Sequence, residues 1–592
     1  MPHRESPPPR QNTKMAQQVI DKTWWKEASV YQIYPASFKD SNDDGLGDVP
    51  GIISKIPYIK SLGVDAIWLS PIYASPQNDM GYDISDYRDI HAPYGTLQDM
   101  QKLIDELHAN QIKLLMDLVV NHTSDEHDWF KQSRKSKDSP KRNWYFWRDP
   151  KFDEQGNRKE PNNWRSIFGG SAWHFDETTQ QYYLALFLPS QPDLNWENAD
   201  MRQATYGDME FWLDRGVDGF RIDSMNLMSK HPELPDAKVT DPDSKYQDGS
   251  EYFASGPRMH DYIREMRTRV LDHYDVMTVG ELGFTKDEQS VSDYVAKNRH
   301  ELNMVFTGDI VDMDFGPTGK YTRDDFHPRK LRKITNMWQE AMPKFDGWNS
   351  IYLDNHDSGR SLSRYGSDLP EHRAAAAKLF AVYLTTLSGT PYLLAGQEFG
   401  MANLGEDYAA DAYIDIEGSN YYKEILQRRG GDVSKMDDVL REMQLKARDH
   451  GRLPVQWDTS ANAGFTSSQA KPWMTLNKDY KQWNAESQLE DPNSVMAFYK
   501  MMLSLRKELK DLLVYGSYAA LSEQETGELV IGWEREDQNG GKAVVLLNFS
   551  DREQQVPVAK YAGWSEIASN GRRSIGQDQA TLGPYGAIVL KN

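Results

Sequence analysis

Short apolar runs alternate with longer amphipathic stretches along most of the chain, and this pattern predicts repeated βα units around a parallel sheet. Eight parallel strands favour a closed (β/α)8 TIM barrel, an α/β fold. The predicted strands are Ser29–Ile33, Ala66–Leu69, Leu114–Val119, Gly219–Ile222, Met277–Gly280, Met304–Thr307, Ser350–Leu353 and Pro391–Ala395.

The stretches between these strands have the spacing of helices that cover a barrel. Residues 96–110 are the clearest example, because Thr96 can cap the first turn. Five apolar residues then follow at helical spacing and form one stripe. They are Leu97, Met100, Leu103, Ile104 and Leu107.

Three segments depart from the alternation and predict further parts of the fold. Residues 123–188, after the third strand, are polar and rich in Trp, which predicts an inserted domain that forms one wall of a cleft. Residues 401–454, after the eighth strand, are rich in charge, show helical periodicity around Asp437–Arg448 and are placed to form the opposite wall. From residue 512 the chain changes to short alternating strands, with a hairpin turn at Asn539-Gly540-Gly541, which predicts a C-terminal antiparallel β-sandwich.

These patterns divide the chain into four parts. Residues 1–20 are Pro-rich and polar and are expected to be a disordered tail. The catalytic barrel is predicted from residues 21–122 and 189–511, the inserted domain from 123–188 and the sandwich from 512–592.

Composition narrows the possible partners. The net charge of −21 argues against nucleic acid and anionic membrane surfaces, because a negative protein surface repels them. No apolar run reaches the length of a membrane span, and the first residues lack the apolar core of a signal peptide. The 592 residues include no cysteine, which excludes disulfides and thiolate metal sites. A cytoplasmic protein is therefore expected.

Carboxylates end several predicted strands, where the active sites of such barrels lie. Asp117 belongs to the third strand, and Asp223, Glu281 and Asp357 close the runs GFRID, VGEL and NHD. Cleavage of a glycosidic bond needs one nucleophilic or stabilising carboxylate and one proton-donating acid on either side of the bond. These acids therefore predict a glycosidase.

The same runs, in the same order, resemble the α-amylase superfamily, glycoside hydrolase family 13. Within it the chain is similar to the α-glucosidase and oligo-1,6-glucosidase group, which includes yeast-type maltases and isomaltases. The resemblance extends from about Trp24 to the C-terminus, and its most diagnostic run is Gln191-Pro192-Asp193-Leu194-Asn195. It implies a retaining, exo-acting enzyme that releases glucose from the non-reducing end of short α-gluco-oligosaccharides.

The resemblance also assigns roles to residues. It implies that Asp223 is the nucleophile, Glu281 the general acid/base and Asp357 a third acid that holds the sugar. Arg221 lies two residues before Asp223 on an extended strand, so it points to the same side and can keep Asp223 ionised. Further residues match substrate-binding positions of the family: Asp79 and Tyr82 at the floor of the terminal glucose pocket, His122 and His356 beside the bond, and Arg452 as the arginine that closes the pocket.

An acidic loop before the first helix resembles the start of an EF-hand loop, in which oxygen ligands recur at every other residue. The expected ligands are the side chains of Asp40, Asn42, Asp44 and Asp48 and the carbonyl of Leu46. The loop lacks the bidentate Glu at position twelve of an EF-hand. Related α-glucosidases have structural calcium here, so Ca²⁺ with a structural role is expected, and no organic cofactor.

Four residues differ from the common family pattern, and they affect the expected substrate and acceptor. Ser224 follows the nucleophile, where valine accompanies α-1,6 preference and threonine or alanine accompanies α-1,4, so maltose-type substrates are expected. Ser358, Gly359 and Leu453 replace common family residues, and altered acceptor contacts there would favour transglucosylation.

Three alternatives to a maltose-type α-glucosidase are open. One is an oligo-1,6-glucosidase (isomaltase). The second is a sucrose isomerase, disfavoured because no Arg-x-Asp-Arg element precedes the seventh strand. The third is a non-catalytic scaffold like the heavy chains of amino-acid transporters, which use the same barrel.

Overall fold

The computed structural model describes residues 24–592, so the predicted disordered tail lies outside the described residues. Eight parallel strands form one sheet in the order β6-β5-β4-β3-β2-β1-β8-β7. The strands are β1 (Val30–Ile33), β2 (Ala66–Leu69), β3 (Lys113–Val119), β4 (Gly219–Asp223), β5 (Met277–Leu282), β6 (Met304–Thr307), β7 (Ser350–Ile351) and β8 (Thr390–Leu394).

The sheet is nearly closed between β6 and β7. There Ser350 Oγ donates a hydrogen bond to the carbonyl of Val305 at 2.7 Å, and Tyr352 Oη donates to the carbonyl of Thr307 at 2.5 Å. Side chains thus connect the two edge strands across the gap. The predicted (β/α)8 barrel is confirmed.

A helix follows each strand and covers the outside of the sheet. In chain order these helices are Ile56–Leu62, Leu97–Ala109, Ala199–Leu213, Met259–Arg269, Glu288–Val295, Pro328–Lys344, Arg373–Thr386 and Val495–Glu508. The second of them begins at a capping box formed by Thr96 and Asp99. Its buried residues are Met100, Leu103, Ile104 and Leu107, which are four of the five residues in the predicted stripe.

The excursion after β3 contains a three-stranded antiparallel sheet, with strands Trp147–Arg148, Trp173–Asp176 and Gln181–Leu184. Its apolar cluster is shared with the long segment after β4, because Trp164 and Trp173 are buried together with Leu234 and Phe253. Two loops of the barrel therefore build this wall jointly.

A buried ion pair ties this wall to the barrel. Lys230 Nζ lies 2.9 Å from Asp193 Oδ2, and both side chains are almost fully buried. Lys230 also donates to Asn121 Oδ1 at 3.1 Å, at the end of β3. Asp193, from the diagnostic run of the sequence, therefore fixes the end of the insertion.

The C-terminal region has two antiparallel sheets. The five-stranded sheet contains Ser517–Ala520, Val530–Glu536, Lys542–Asn548, Ala587–Lys591 and Ser565–Ser569, and the three-stranded sheet contains Gln554–Pro557, Gln579–Leu582 and Arg573–Ile575. One apolar cluster includes residues of both sheets, among them Val544, Ile588, Val556 and Leu582. Among residues 24–592 no helix is both long and apolar enough to cross a membrane.

The excursion after β8 contains two longer helices, Ile416–Arg428 and Asp437–Lys446. We call the first of these the clasp helix. Helical periodicity in the sequence indicated the second helix but not the first.

Candidate active site

One arginine on β4 holds three carboxylates together at the C-terminal end of the barrel. Arg221 donates to Asp117 at 2.9 Å and to Asp223 at 2.8 Å through Nη1, and to Glu281 at 2.6 Å through Nη2. Asp117 is the partner of Arg221 in the β3–β4 register. Sequence spacing predicted the approach of Arg221 to Asp223, but it gave no sign of the bonds to the other two acids.

Burial differs among these four side chains. Arg221 is 2% exposed and Asp117 is fully buried, whereas the Asp223 side chain is 9% and the Glu281 side chain 36% exposed. A buried guanidinium needs compensating negative charge because its desolvation is costly. Burial, opposed by the charge of Arg221, raises the pKa of Asp117 to about 6, so this deepest carboxylate supplies negative charge above that pH. The two outer carboxylates face the pocket.

The two outer acids differ in protonation. Burial, opposed by the charge of Arg221, raises the pKa of Asp223 to about 6. Burial, again opposed by Arg221 and aided by the negative charges of Asp223 and Asp357, raises the pKa of Glu281 to about 7. The pair therefore loses its first proton mainly from Asp223 and its second mainly from Glu281.

The backbone at Ser224 helps to position Glu281. Ser224 has φ 43, in the left-handed region that residues other than Gly seldom adopt. Its N–H donates to Glu281 Oε2 at 3.0 Å. Ser224, whose side chain was predicted to influence linkage preference, thus also contributes through its backbone.

Asp357 lies against two buried arginines. Arg452 Nη2 donates to Asp357 Oδ1 at 2.9 Å, and Arg448 Nη1 lies 3.5 Å from the same oxygen. Burial alone would raise the pKa of Asp357, but the adjacent positive charges hold it well below its usual range. Asp357 is therefore ionised and can accept hydrogen bonds.

We call the end of the pocket at Asp79 its blind end. Asp79 accepts hydrogen bonds from Arg448 Nη2 at 2.9 Å and from Gln191 Nε2 at 3.0 Å. Arg452, the arginine predicted to close the pocket, bonds to Asp357 and to Asp415. Arg448 begins a short helix and Arg452 directly follows it, so the two arginines contact different aspartates from one turn of the chain.

Tyr82 and His356 form a stacked pair, with ring centroids 5.3 Å apart and planes 7° apart. Gln32 Nε2 lies 2.8 Å from His356 Nδ1, so Nδ1 accepts and Nε2 carries the proton. That Nε2 lies 2.5 Å from the Tyr82 hydroxyl oxygen and 3.1 Å from Asp357 Oδ2. The Tyr82 hydroxyl donates to Asp117 Oδ2 at 3.0 Å. Burial lowers the pKa of His356, so this chain of hydrogen bonds joins the two acidic groups through a neutral ring.

His122 is buried beside the same pocket. Its Nε2–H donates to the carbonyl of Tyr82 at 3.0 Å, and burial lowers its pKa. His122 is therefore held as a neutral ring at the wall of the pocket.

Many of these side chains line one pocket of about 170 Å³. It is lined by Asp79, Tyr82, His122, Ile167, Phe168, Phe187, Asp223, Ser224, Glu281, Lys320, Asp357, Glu417 and Arg448. All three predicted catalytic acids line it, whereas Arg221, His356 and Arg452 stand behind the lining.

Several lining residues were missed in the sequence. Lys320 donates to the carbonyl of Asp357 at 2.9 Å and to Glu417 at 2.6 Å, so a hairpin after β6 meets the clasp helix at the pocket. Arg448 could have been found, because it stands four residues before Arg452 in one charged run. No local pattern marks Lys320, Glu417 or Phe168.

The family departures at Ser358, Gly359 and Leu453 do not reach the pocket. Ser358 and Leu453 are buried in the fold. A Cβ at Gly359 would lie 2.1 Å from the carbonyl oxygen of Leu445, so glycine there permits a close backbone approach. These residues give no evidence of altered acceptor contacts.

The acidic loop is folded around its own carboxylates. Asp40 accepts hydrogen bonds from the backbone amides of Asn42, Asp43 and Gly45. Asp48 accepts from Ser41 and from Gly51 N at 2.6 Å, where it caps a helix. Within residues 24–592 no three or more His, Cys, Asp or Glu side chains are grouped as a metal site. The side chains and carbonyl available in this loop are nevertheless all oxygen donors, the type that Ca²⁺ prefers.

Comparison with known proteins places this geometry in context. The model of the Alpha-amylase family, described as "Alpha amylase, catalytic domain", matches residues 32–516. The chain is 45% identical over 577 residues to the "Alpha-glucosidase" of Schizosaccharomyces pombe, covering 97% of this chain and 98% of that protein. It is 48% identical over 533 residues to the "Oligo-1,6-glucosidase" of Parageobacillus thermoglucosidasius, covering 90% and 92%.

Solved structures are similar over almost the whole chain. The trehalose-6-phosphate hydrolase of Bacillus licheniformis has a TM-score of 0.88 at 39% identity, covering 96% of this chain and 99% of that one. The isomaltulose synthase of Erwinia rhapontici has a TM-score of 0.89 at 38% identity, with the same coverage.

Proposed function

This chain belongs to the alpha-amylase family and is a glycoside hydrolase of the α-glucosidase type, and we propose that it is retaining, with Asp223 as nucleophile and Glu281 as general acid/base. The observation that carries these roles is the arrangement around Arg221. One guanidinium bonds to both carboxylates, and both line a single pocket. The scaffold alternative, which lacks catalysis, is not retained.

The reaction follows from the positions of these groups. Asp223 attacks the anomeric carbon while Glu281 protonates the departing glycosidic oxygen, which leaves a covalent glucosyl ester on Asp223. Glu281, now ionised, then removes a proton from water as the water displaces Asp223. Two displacements retain the anomeric configuration.

Substrate positioning is assigned to the blind end of the pocket. Asp79 with Arg448, and Asp357 with Arg452, offer buried charged acceptors and donors to the hydroxyls of the terminal glucose. Because this end is closed, glucose would be released from the non-reducing end of maltose-type and other short α-gluco-oligosaccharides. Homologues named α-glucosidase and oligo-1,6-glucosidase support both linkage classes.

The nucleophile is tested with Asp223→Ala. We expect kcat/KM for 4-nitrophenyl α-glucoside to fall by roughly four orders of magnitude, because the covalent step is lost. Added azide should restore turnover, because it can occupy the space left by the Asp223 carboxylate and attack the anomeric carbon from that side. The product should be the β-glucosyl azide. Asp324→Ala, an exposed aspartate outside the pocket, is the matched control. Near wild-type activity of a correctly folded Asp223→Ala protein would refute the assignment.

The pH dependence of kcat/KM follows from the two raised pKa values. Asp223 must be ionised, so activity should rise with pH around 6, and Glu281 must be protonated, so activity should fall above about 7. We expect a narrow maximum between these values with maltose, whose sugar leaving group needs protonation. With α-glucosyl fluoride, whose leaving group needs little protonation, the basic limb should move upward. A plateau extending beyond pH 9 for maltose would contradict the role of Glu281.

Linkage preference is assigned to Ser224, which lines the pocket beside Glu281. We expect kcat/KM for maltose to exceed that for isomaltose, and Ser224→Val to move the ratio toward isomaltose while Ser224→Ala leaves it unchanged. Valine at φ 43 also strains the backbone, so the unfolding temperature of each variant is measured as well. A wild-type ratio well below one would instead make the chain an oligo-1,6-glucosidase. Trisaccharides formed at high maltose concentration would report the proposed transglucosylation.

A structural Ca²⁺ ion is also proposed, held by the side chains of Asp40, Asn42, Asp44 and Asp48 and the carbonyl of Leu46. When bound, it would fix the loop by replacing the mutual repulsion of three carboxylates with attraction. We expect a chelator to lower the unfolding temperature of the wild type and of Asp43→Asn, the matched neighbour, but to have no further effect on Asp44→Ala. An unchanged wild-type unfolding temperature, with no calcium binding in calorimetry, would rule out the ion.

A cytoplasmic location is proposed from the absence of cysteine.

A further inference from the structure

The clasp helix, Ile416–Arg428, contacts three other parts of the protein through one face. Glu417, Asn420, Glu424 and Arg428 recur at helical spacing on that face. Glu417 bonds to Lys320 at 2.6 Å, and Arg428 lies 3.3 Å from Asp241 in the segment after β4. The helix thus reaches from the hairpin after β6 to the opposite wall of the cleft.

The strongest of these contacts crosses to the inserted domain. Arg165 donates to Glu424 through both terminal nitrogens, at 3.0 Å and 2.6 Å, and both side chains are less than one-third exposed. Such two-point guanidinium–carboxylate contacts fix orientation as well as distance. Asn420 Nδ2 adds a bond to the carbonyl of Phe168 at 3.2 Å. Two segments far apart in sequence are therefore joined over the cleft.

The joined segment of the insertion, residues 165–170, carries part of the pocket wall. Ile167 and Phe168 line the pocket. The guanidinium carbon of Arg448 lies 5.2 Å from the centre of the Phe168 ring, and Arg448 also bonds to Asp79. Phe168 is therefore at the blind end, where the non-reducing end of the donor would lie.

Two glycines end this segment beside the ion pair. Gly169 and Gly170 have φ values of +94° and +75°, and a Cβ at Gly169 would lie 3.3 Å from Glu424 Oε2. The chain therefore turns directly against the clasp helix. Without the Arg165–Glu424 pair, the hydrogen bond from Asn420 to Phe168 would be left to hold residues 165–170 to the clasp helix.

We propose that the Arg165–Glu424 pair, with Asn420, closes the donor end of the pocket and so limits the donor to one glucose unit. This proposal rests on the proposed α-glucosidase function and adds specificity-determining residues to it. Neither charged residue lines the pocket, so both act by positioning Phe168. Releasing the pair would let residues 165–170 move away from Arg448 and make room for a second glucose unit.

The test uses 4-nitrophenyl α-maltoside and follows the first sugar released. A donor site for one unit releases glucose, whereas a site extended by one unit releases maltose and 4-nitrophenol. In Arg165→Ala and Glu424→Ala we expect the ratio of maltose to glucose to rise at least tenfold, equivalent to roughly 1.4 kcal/mol. For 4-nitrophenyl α-glucoside, kcat/KM should stay within about threefold of wild type, because one unit still fits.

A charge-swapped double variant, Arg165→Glu with Glu424→Arg, should restore the wild-type ratio. Asp325→Ala, which breaks the exposed pair with Arg323, is the control and should leave it unchanged. A product ratio within twofold of wild type in both single variants, with both folded, would overturn the proposal and leave the pair a purely structural contact. Failure of the wild type to cleave 4-nitrophenyl α-glucoside would count against the α-glucosidase function itself, which separates the two failures.

Discussion

A single buried guanidinium organises the catalytic centre. Arg221 bonds to Asp117, Asp223 and Glu281 within 2.9 Å, from a strand in the middle of a parallel sheet where its own side chain is almost fully buried. Removing one partner of a buried charged group leaves the others uncompensated, which is why such clusters are sensitive to change. The same contacts fix the positions of the two acids and oppose the rise in pKa that burial causes in both. Both the geometry and the protonation of the two acids therefore depend on Arg221.

The excursion after β8 contributes a second charged cluster, which includes Arg448 and Arg452. In the proposed mechanism this cluster positions the terminal glucose. Arg448 and Arg452 are both buried, and each bonds to Asp415, which fixes them relative to one another. From that common anchor, Arg448 reaches Asp79 and Arg452 reaches Asp357. In the proposed mechanism the barrel supplies the reacting carboxylates, and the excursion supplies charges that would bind the non-reacting end of the substrate. The insertion completes the enclosure through Phe168.

The structural features that could be predicted from the sequence are those that depend on neighbouring residues. Short-range patterns predicted the strand ends and the helix cap at Thr96. The alternation of side chains along a strand predicted that Arg221 and Asp223 lie on the same side. The three proposed catalytic acids were predicted because they close runs at strand ends and because those runs resemble the family motifs. Lys320, Glu417 and Phe168 were missed because their positions depend on how two long excursions fold over the barrel. The contact of Arg448 with Asp79 was missed for the same reason, since spacing alone does not say which end of a short helix faces Asp79.

The most direct test of the central claim is to trap the covalent intermediate. A slow substrate such as 5-fluoro-α-glucosyl fluoride should accumulate a glucosyl ester, and peptide mass spectrometry should locate it. The account predicts one sugar per chain, attached to Asp223. Attachment to Asp117, Glu281 or Asp357, or a fully active enzyme that never forms an ester, would contradict the division of roles that Arg221 imposes.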